Sequence, residues 1–408
     1  MTIAYPIARA RVSTGGTGAQ NYDEFADESE ITAIVAANPA SALAVEMPHR
    51  TPEAVAAGLS FRDALPAAAE RLRELQLDGH YRPAENAVAI YRISGGRSAG
   101  TAYGLFCMID TDQISTSADE PGLVIRNEDV FLEKVRERTA LAETTGHLLS
   151  AVLLLQTGKG DQLQAALEAA TGQLGEPTVS DTDQQGRTHA IWLIGASPLA
   201  EELLALAGGG ELIVADGNHR TLAAQTGGLR RFLAVVTAPG SVVIRPYNRL
   251  VSELPLPVAE MVDLLRARGA KLTELPDRPE VPTSGGTIQL YAGGKGYAVQ
   301  LPAPKDAATV DRLDHAVVEH VLFRRTLGLD PGDKRITYVG GDYPASWLCD
   351  EVDAGRAALA VLIAPVTVDD FVTVNLDRQK MPRKSTWFTP KARAGLVLAD
   401  LSAERDEK

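Results

Sequence analysis

An α+β fold is predicted by three features of the chain: a strand running through a tight turn into a helix at 211–226, two strands around a glycine turn at 87–109, and an amphipathic helix over 129–145. In Glu211–Thr221 (ELIVADGNHRT) the apolar, largely β-branched run Leu212-Ile213-Val214 ends in Asp216-Gly217-Asn218-His219-Arg220, and helical spacing resumes from Thr221 to Thr226. Gly217 allows a sharp turn and a close approach of the backbone to a ligand. The first amides of a helix lack intrahelical partners and carry the positive end of its dipole. With His219 and Arg220 as added donors, the arrangement suits a phosphate. An ordinary strand–helix loop with an ion-paired arginine is the alternative at this point.

The remaining elements follow in order. Residues 13–20 (STGGTGAQ) read as a loop, and 53–78 as a helical stretch. AVAIYRI (87–93) and AYGLFCMI (102–109) read as strands. Gly95-Gly96 between them fits a hairpin better than a nucleotide loop, because no helix follows it. Val130, Leu132, Val135 and Leu141 give 129–145 its apolar stripe. Strands are expected at 151–155, 189–194 and 231–237, with a polar turn at Asp181–Arg187. Past Ala238-Pro239-Gly240, helices are expected at 257–268 and 311–326. Strands are expected at 287–291, 297–301 and 358–364, a helix-to-strand connection at 367–377, and a frayed charged tail from Ser402. There is no internal repeat or low-complexity tract.

With 408 residues the chain is long enough for two or three domains. Its hydrophobic fraction of 45% and charged fraction of 23% are those of a globular protein with a sizeable core. The net charge of −13 argues against a broad nucleic-acid surface but leaves room for a local basic pocket. Cys107 and Cys349 form no CxxC, so no disulfide framework or zinc site is indicated, and a reducing cytoplasm fits. The N-terminal residues show no signal-peptide pattern, and no run approaches the ~18 apolar residues that span a membrane. His49, His80, His147, His189, His315 and His320 are dispersed and read as structural; Trp192, Trp347 and Trp387 read as core or pocket walls.

Two further segments carry chemistry. Lys380–Lys391 (KMPRKSTWFTPK) concentrates basic and hydroxyl side chains in an acidic chain, which suits an anion; a solvated basic loop is the alternative. Ile125-Arg126-Asn127-Glu128 precedes the 129–145 helix, so Glu128 would either favour the helix dipole or serve a site.

Taken together, IRNEDVFLEKVRER, ADGNHRTLAA and MPRKSTWFTPKARAGL resemble the bacterial DUF1015 family, whose members show an RHE segment, an ADGHHR turn and a late MP.KST.F.PK tail. That family in turn is similar to free-serine kinases of ParB/sulfiredoxin-like fold, which order a HE segment, a DGHHR turn and a late PKTTRH segment. The resemblance spans most of the chain. It implies a ParB/sulfiredoxin-like nucleotide-binding core at 111–240, an N-terminal family-specific extension at 1–110 and a C-terminal α/β domain at 241–408 carrying the KST motif. It implies that Glu128 takes the proton from the substrate hydroxyl and that Asp216 holds Mg²⁺ or that hydroxyl. It assigns Gly217, Asn218, His219 and Arg220 to phosphate, and Lys384, Ser385 and Thr386 to substrate and phosphate. The family's histidines are replaced here by Asn127 and Asn218, which can donate hydrogen bonds but cannot hold a charge.

The expected activity is therefore a kinase that transfers a phosphoryl group from ATP or ADP, with Mg²⁺, to a small alcohol such as free L-serine. Lys384, with Arg249 second, is the expected cation for the acceptor's carboxylate. The alternative is a nucleotide-dependent ParB-like regulatory module without turnover. A sulfiredoxin-like repair enzyme would want a cysteine in the turn, where Asn218 stands. The expected partners are a nucleotide and a small-molecule substrate, without nucleic acid or membrane, and homo-oligomerisation is compatible with them.

Overall fold

The computed structural model describes residues 3–25, 27–96, 100–115, 122–304 and 307–404. Helices and sheets alternate through two compact units. One comprises Met1–Val242 together with Pro390–Lys408, the other Val243–Thr389.

The first unit is built on a 12-stranded sheet. From one edge its order is Val124–Arg126, Leu212–Asp216, Val152–Gln156, Arg231–Thr237, Ala102–Asp110, Tyr81–Gly95, Ile7–Ser13, Val397–Asp400 and His147–Leu148, with further strands pairing off this path. Most pairs are antiparallel. Two are parallel: Leu212–Asp216 with Val124–Arg126, and Arg231–Thr237 with Val152–Gln156. Val152–Gln156 (VLLLQ) is buried at every position, which is why it shows an apolar run and no alternation. Helices Gly160–Leu174 and Pro198–Ala207 pack Leu163, Leu167, Leu203 and Ala207 into one core with Leu212, Val214, Ala234 and Val236. Ser197 starts the second of these, its hydroxyl accepting from the Ala200 amide.

A division of the chain at residue 110 cuts across this sheet, because Ala102–Asp110 is hydrogen-bonded along its length to Arg231–Thr237. The C-terminal residues 390–408, grouped by sequence with the preceding segment, return to the first unit, where Val397–Asp400 pairs with both Ile7–Ser13 and His147–Leu148.

The second unit carries an antiparallel six-stranded sheet, ordered Lys271–Leu275, Lys295–Gln300, Ile288–Ala292, Leu359–Leu362, Tyr247–Val251, Ile336–Gly340, and a two-stranded ribbon of Val243–Arg245 with Trp387–Thr389. Met261, Leu265, Val318, Leu322, Val361 and Ile363 form its core.

Several expectations need correction. The helix read over 53–78 is two: Gly58, at φ +64°, follows Pro52–Ala56, and Ser60 caps Phe61–Leu77. The helix read over 311–326 begins in short turns and continues as a wide π-helix, Val318–Leu327, ended by Gly328 at φ +65°. Residues 367–377 form a helix, Val368–Leu376, rather than a connection; Thr367 caps it through the Asp370 amide. The 181–187 turn is narrower, since Val179–Thr182 and Arg187–Ile194 are strands. Gly95-Gly96 closes antiparallel strands as expected, although loop residues 97–99 lie outside the described residues. At the tail Leu401–Ala403 forms a turn, and 405–408 lie outside the described residues. Among the described residues no helix is long and apolar enough to cross a membrane.

Candidate functional site

The parallel register Leu212↔Val124, Ile213↔Ile125, Val214↔Arg126 makes two neighbouring strands end side by side. Asn127 and Glu128 leave one, and Asp216 closes the other. The adjoining ladder is irregular between Val214 and Asp216, which re-aims the strand end. Glu128 is half-buried in a bend. The helix after it starts only at Leu132, with Phe131 as its N-cap, so the dipole explanation for Glu128 falls away.

Gly217 caps the next helix, Asn218–Thr226, at φ +102° and ψ +28°. The backbone favours it there. The left-handed backbone disfavours any side chain, and an added Cβ would stand 2.9 Å from Arg220 Nε. The Arg220 guanidinium therefore lies against the turn. Its Nη2 donates to Asp216 Oδ2 at 2.5 Å, and its Nη1 to Asn21 Oδ1 at 3.1 Å. Lys391 Nζ reaches the other oxygen, Asp216 Oδ1, at 2.8 Å. One carboxylate thus anchors two cations beside a helix N-terminus.

Asn127 and Asn218 are both buried, and Asn218 Nδ2 donates to Asn127 Oδ1 at 2.6 Å. Asn218 Oδ1 is left as a buried acceptor without a donor, and an acceptor repels a phosphate oxygen. His219 Nε2 accepts from the Phe131 amide at 3.1 Å, and its ring lies parallel to Phe131, 6.1 Å between centroids. That nitrogen is held by the next helix's cap and is not offered to an anion.

The donor set does not fit Mg²⁺ as arranged. Each Asp216 oxygen already faces a cation, so a divalent ion there would meet two like charges. Among the described residues no group of three or more His, Cys, Asp or Glu side chains is suited to a metal. Cys107 is no nucleophile: burial in the sheet pushes its thiol up to about 12.

Arg249, Lys384, Ser385 and Thr386 belong to the second unit. Arg249 is wholly buried on its strand. Its Nη1 donates to the carbonyls of Tyr247 (2.8 Å) and Asn248 (3.2 Å), its Nη2 to that of Arg383 (3.3 Å), and its guanidinium lies 4.5 Å from the Tyr338 ring centroid. It fastens the KST loop to the sheet, and so arranged it does not face a ligand. Lys384 takes the left-handed conformation at φ +51°, with its ammonium 5.7 Å from the Tyr247 ring centroid. Ser385 is fully buried, and its hydroxyl has no hydrogen-bond partner. Thr386 is half-buried.

Sequence reasoning missed Asn21, Phe131 and Lys391 at the turn. Lys391 stood inside a quoted motif, but nothing in its spacing names Asp216 as partner. A buried relay was also missed. The Tyr91 hydroxyl bonds His189 Nδ1 at 2.6 Å, His189 Nε2 bonds Asp183 at 3.0 Å, and the Arg393 amide donates to Tyr91 at 3.4 Å. Burial lowers His189 to about 4 and raises Tyr91. Burial would raise Asp183, but bonds from His189 and Arg187 outweigh it and hold the carboxyl below its ordinary range. The relay holds the backbone two residues beyond Lys391.

A family model, described as a protein of unknown function (DUF1015), matches residues 16–316. The chain belongs to that family. Among solved structures it is similar to a free serine kinase variant in complex with AMP (12% identity, 70% of this chain and 87% of that chain, TM-score 0.40). A conserved hypothetical protein from Pyrococcus furiosus is comparable (13%, 71% and 93%, TM-score 0.40), as is SbnI with a C-terminal truncation from Staphylococcus aureus (12%, 71% and 87%, TM-score 0.38). Such distant likeness carries neither fold nor chemistry from those chains to this one. No curated protein matches.

Proposed function

We propose that this protein is a small-molecule kinase with a ParB/sulfiredoxin-like nucleotide-binding core, transferring a phosphoryl group from ATP or ADP to a hydroxyl acceptor such as free L-serine. The observation that carries the reading is the pairing of two parallel strand ends, which sets Glu128 beside the Asp216–Arg220 turn. The motif resemblance supports the same pairing of roles.

Phosphoryl transfer needs positioning and charge neutralisation more than covalent help. Arg220, Lys391 and the first amides of helix Asn218–Thr226 gather positive charge at one spot, where a terminal phosphate binds. Asp216 holds both cations in place. The Asn218 side-chain oxygen accepts from the acceptor's hydroxyl and orients it. Glu128 takes the hydroxyl proton as the oxygen attacks phosphorus; the bond to the nucleotide's bridging oxygen breaks, and ADP or AMP leaves. The motif resemblance alone assigns Lys384, Ser385 and Thr386 to the acceptor's carboxylate and phosphate. Mg²⁺ belongs to this proposal only as an ion carried by the nucleotide's own phosphates.

Phosphorus NMR of the purified protein with Mg²⁺, ATP or ADP, and a panel of alcohols including L-serine tests the reading; a new phosphomonoester signal is expected. Glu128→Gln should cut turnover ~10²- to 10⁴-fold with nucleotide affinity preserved. Normal turnover in that variant removes the base assignment.

A second reading, a nucleotide-dependent regulatory module, is favoured by the Asn127–Asn218 amide pair, which can hold a closed turn without moving a proton. Tight nucleotide binding with no phosphomonoester would select it.

A further inference from the structure

Asn21 is 1% exposed and follows the 13–20 loop, far from the 216–220 turn in sequence. Its place is set by the tail of the same unit. Ala19 and Ala394 exchange backbone hydrogen bonds of 3.0 and 2.9 Å in an antiparallel bridge, and the Thr17 hydroxyl donates to the Gly395 carbonyl at 2.7 Å. Asn21 is therefore anchored by its own backbone segment, independently of its side chain.

Both ends of that side chain are used. Asn21 Oδ1 accepts from Arg220 Nη1 at 3.1 Å, and Nδ2 donates to the Ala392 carbonyl at 3.3 Å. These partners fix which end of the amide is which, since a guanidinium only donates and a carbonyl only accepts. With the contacts of Asp216 they close a circuit. It passes from Asn21 to Arg220, from Arg220 Nη2 to Asp216 Oδ2 at 2.5 Å, and from Asp216 Oδ1 to Lys391 Nζ at 2.8 Å. One peptide bond leads from Lys391 to Ala392, and the Ala392 carbonyl returns it to Asn21. A carboxylate alone sets the distance of each cation from itself and lets the two swing about it. The closed circuit removes that freedom. An asparagine fits the closing position: it is neutral, so it orients the guanidinium without adding charge, and it both accepts and donates. An aspartate could only accept there, and a lysine only donate.

We infer that Asn21 is a positioning residue, which holds Arg220 and Lys391 at a set spacing for a phosphate group and makes the N-terminal segment part of the site. The inference rests on the phosphate role proposed above for the turn. Cations already fixed in the bound arrangement lose little side-chain freedom when the anion arrives, so their fixing is read out as affinity.

Hydrogen exchange of the full chain without nucleotide tests the circuit. Asn21→Ala should raise exchange in peptides covering 216–222 and 390–396 and leave helix Gly160–Leu174 unchanged. Asn21→Asp, which keeps the acceptor for Arg220 and loses the donor for Ala392, should raise it in 390–396 only. That variant keeps the test open if Asn21→Ala does not fold. Calorimetric titration with Mg²⁺ and ADP tests the positioning. Asn21→Ala should weaken ADP binding about tenfold, yet less than about threefold when Arg220 is already alanine, because the group it positions is then gone. Loss by an equal factor in both backgrounds, as general loosening would give, overturns the inference. So does unchanged affinity in Asn21→Ala, or unchanged exchange in both segments. A parent chain that does not bind ADP, or an Arg220→Ala variant that binds it as tightly, removes the phosphate reading and the inference with it; the exchange data, which need no nucleotide, tell that outcome from the others.

Discussion

The turn at 216–220 and the loop at 383–386 are both basic and motif-rich, yet the arginine within the first and the strand arginine behind the second are used in opposite ways. Arg220 pairs with a carboxylate at a strand end and lies over a glycine, beside the buried start of a helix. Arg249 donates to three backbone carbonyls in the interior of the second unit, with the Glu319 carboxylate 3.9 Å from its Nη2. The lesson is that a cation near a motif serves ligand or fold according to what already satisfies its donors. Carbonyls are permanent partners that fix a loop. A carboxylate shared with a second cation holds both side chains at the strand end.

The sharpest way to break this comparison is Arg249→Ala. Its removal leaves buried carbonyls without donors, and a stability loss of ~3–5 kcal/mol is expected in urea denaturation. A variant of native stability with altered ligand binding would reverse its assignment.

Next comes pH, which probes each unit through a buried histidine. Burial lowers His189 to about 4, and burial with the nearby Arg249 charge lowers His315 to about 3. Both lie below the ordinary value of about 6.5, so on acidification the unfolded chain takes up protons before the folded one. Stability is therefore flat above pH ~6.5. It falls as pH drops through the His189 value and then the His315 value, by up to about 3 kcal/mol for His189. Urea midpoints at pH 7.5, 5.5 and 4.5 should show this decline, and His315→Gln should flatten part of it.

Arg220→Ala should behave unlike Arg249→Ala. One charge-assisted bond of ~1.5–3 kcal/mol corresponds to ~10- to 100-fold weaker nucleotide binding, with stability nearly kept. Unchanged affinity in a titration would remove the phosphate role. The smallest effect is expected from Gly217→Ala, about 1–2 kcal/mol by thermal melting from the left-handed backbone, together with a displaced Arg220. A melting point equal to the parent's would show that the turn relaxes freely.

Much of the first set was legible in the sequence because its signal is local. A β-branched strand followed by Asp-Gly states its own turn, and apolar periodicity found most of the sheet's strands. The second set was legible as a motif but not as chemistry. Nothing in Lys380–Lys391 reveals that Ser385 is buried or that Arg249 fastens the loop, since both depend on what packs over them. The wide helix at 318–327 and the split at Gly58 were missed because periodicity reports a stripe and not the backbone that carries it.

The amino-acid order by itself determined the family, the strand–turn–helix and the need for glycine at 217, because each rests on residues close in sequence and on backbone sterics. Only the tertiary structure decided that Lys391 and Arg220 share Asp216, that Asn127 meets Asn218, and that Asn21 bridges Arg220 and Ala392. Those contacts join residues far apart in the chain, and pairing across a folded sheet has no local signature for a sequence to display.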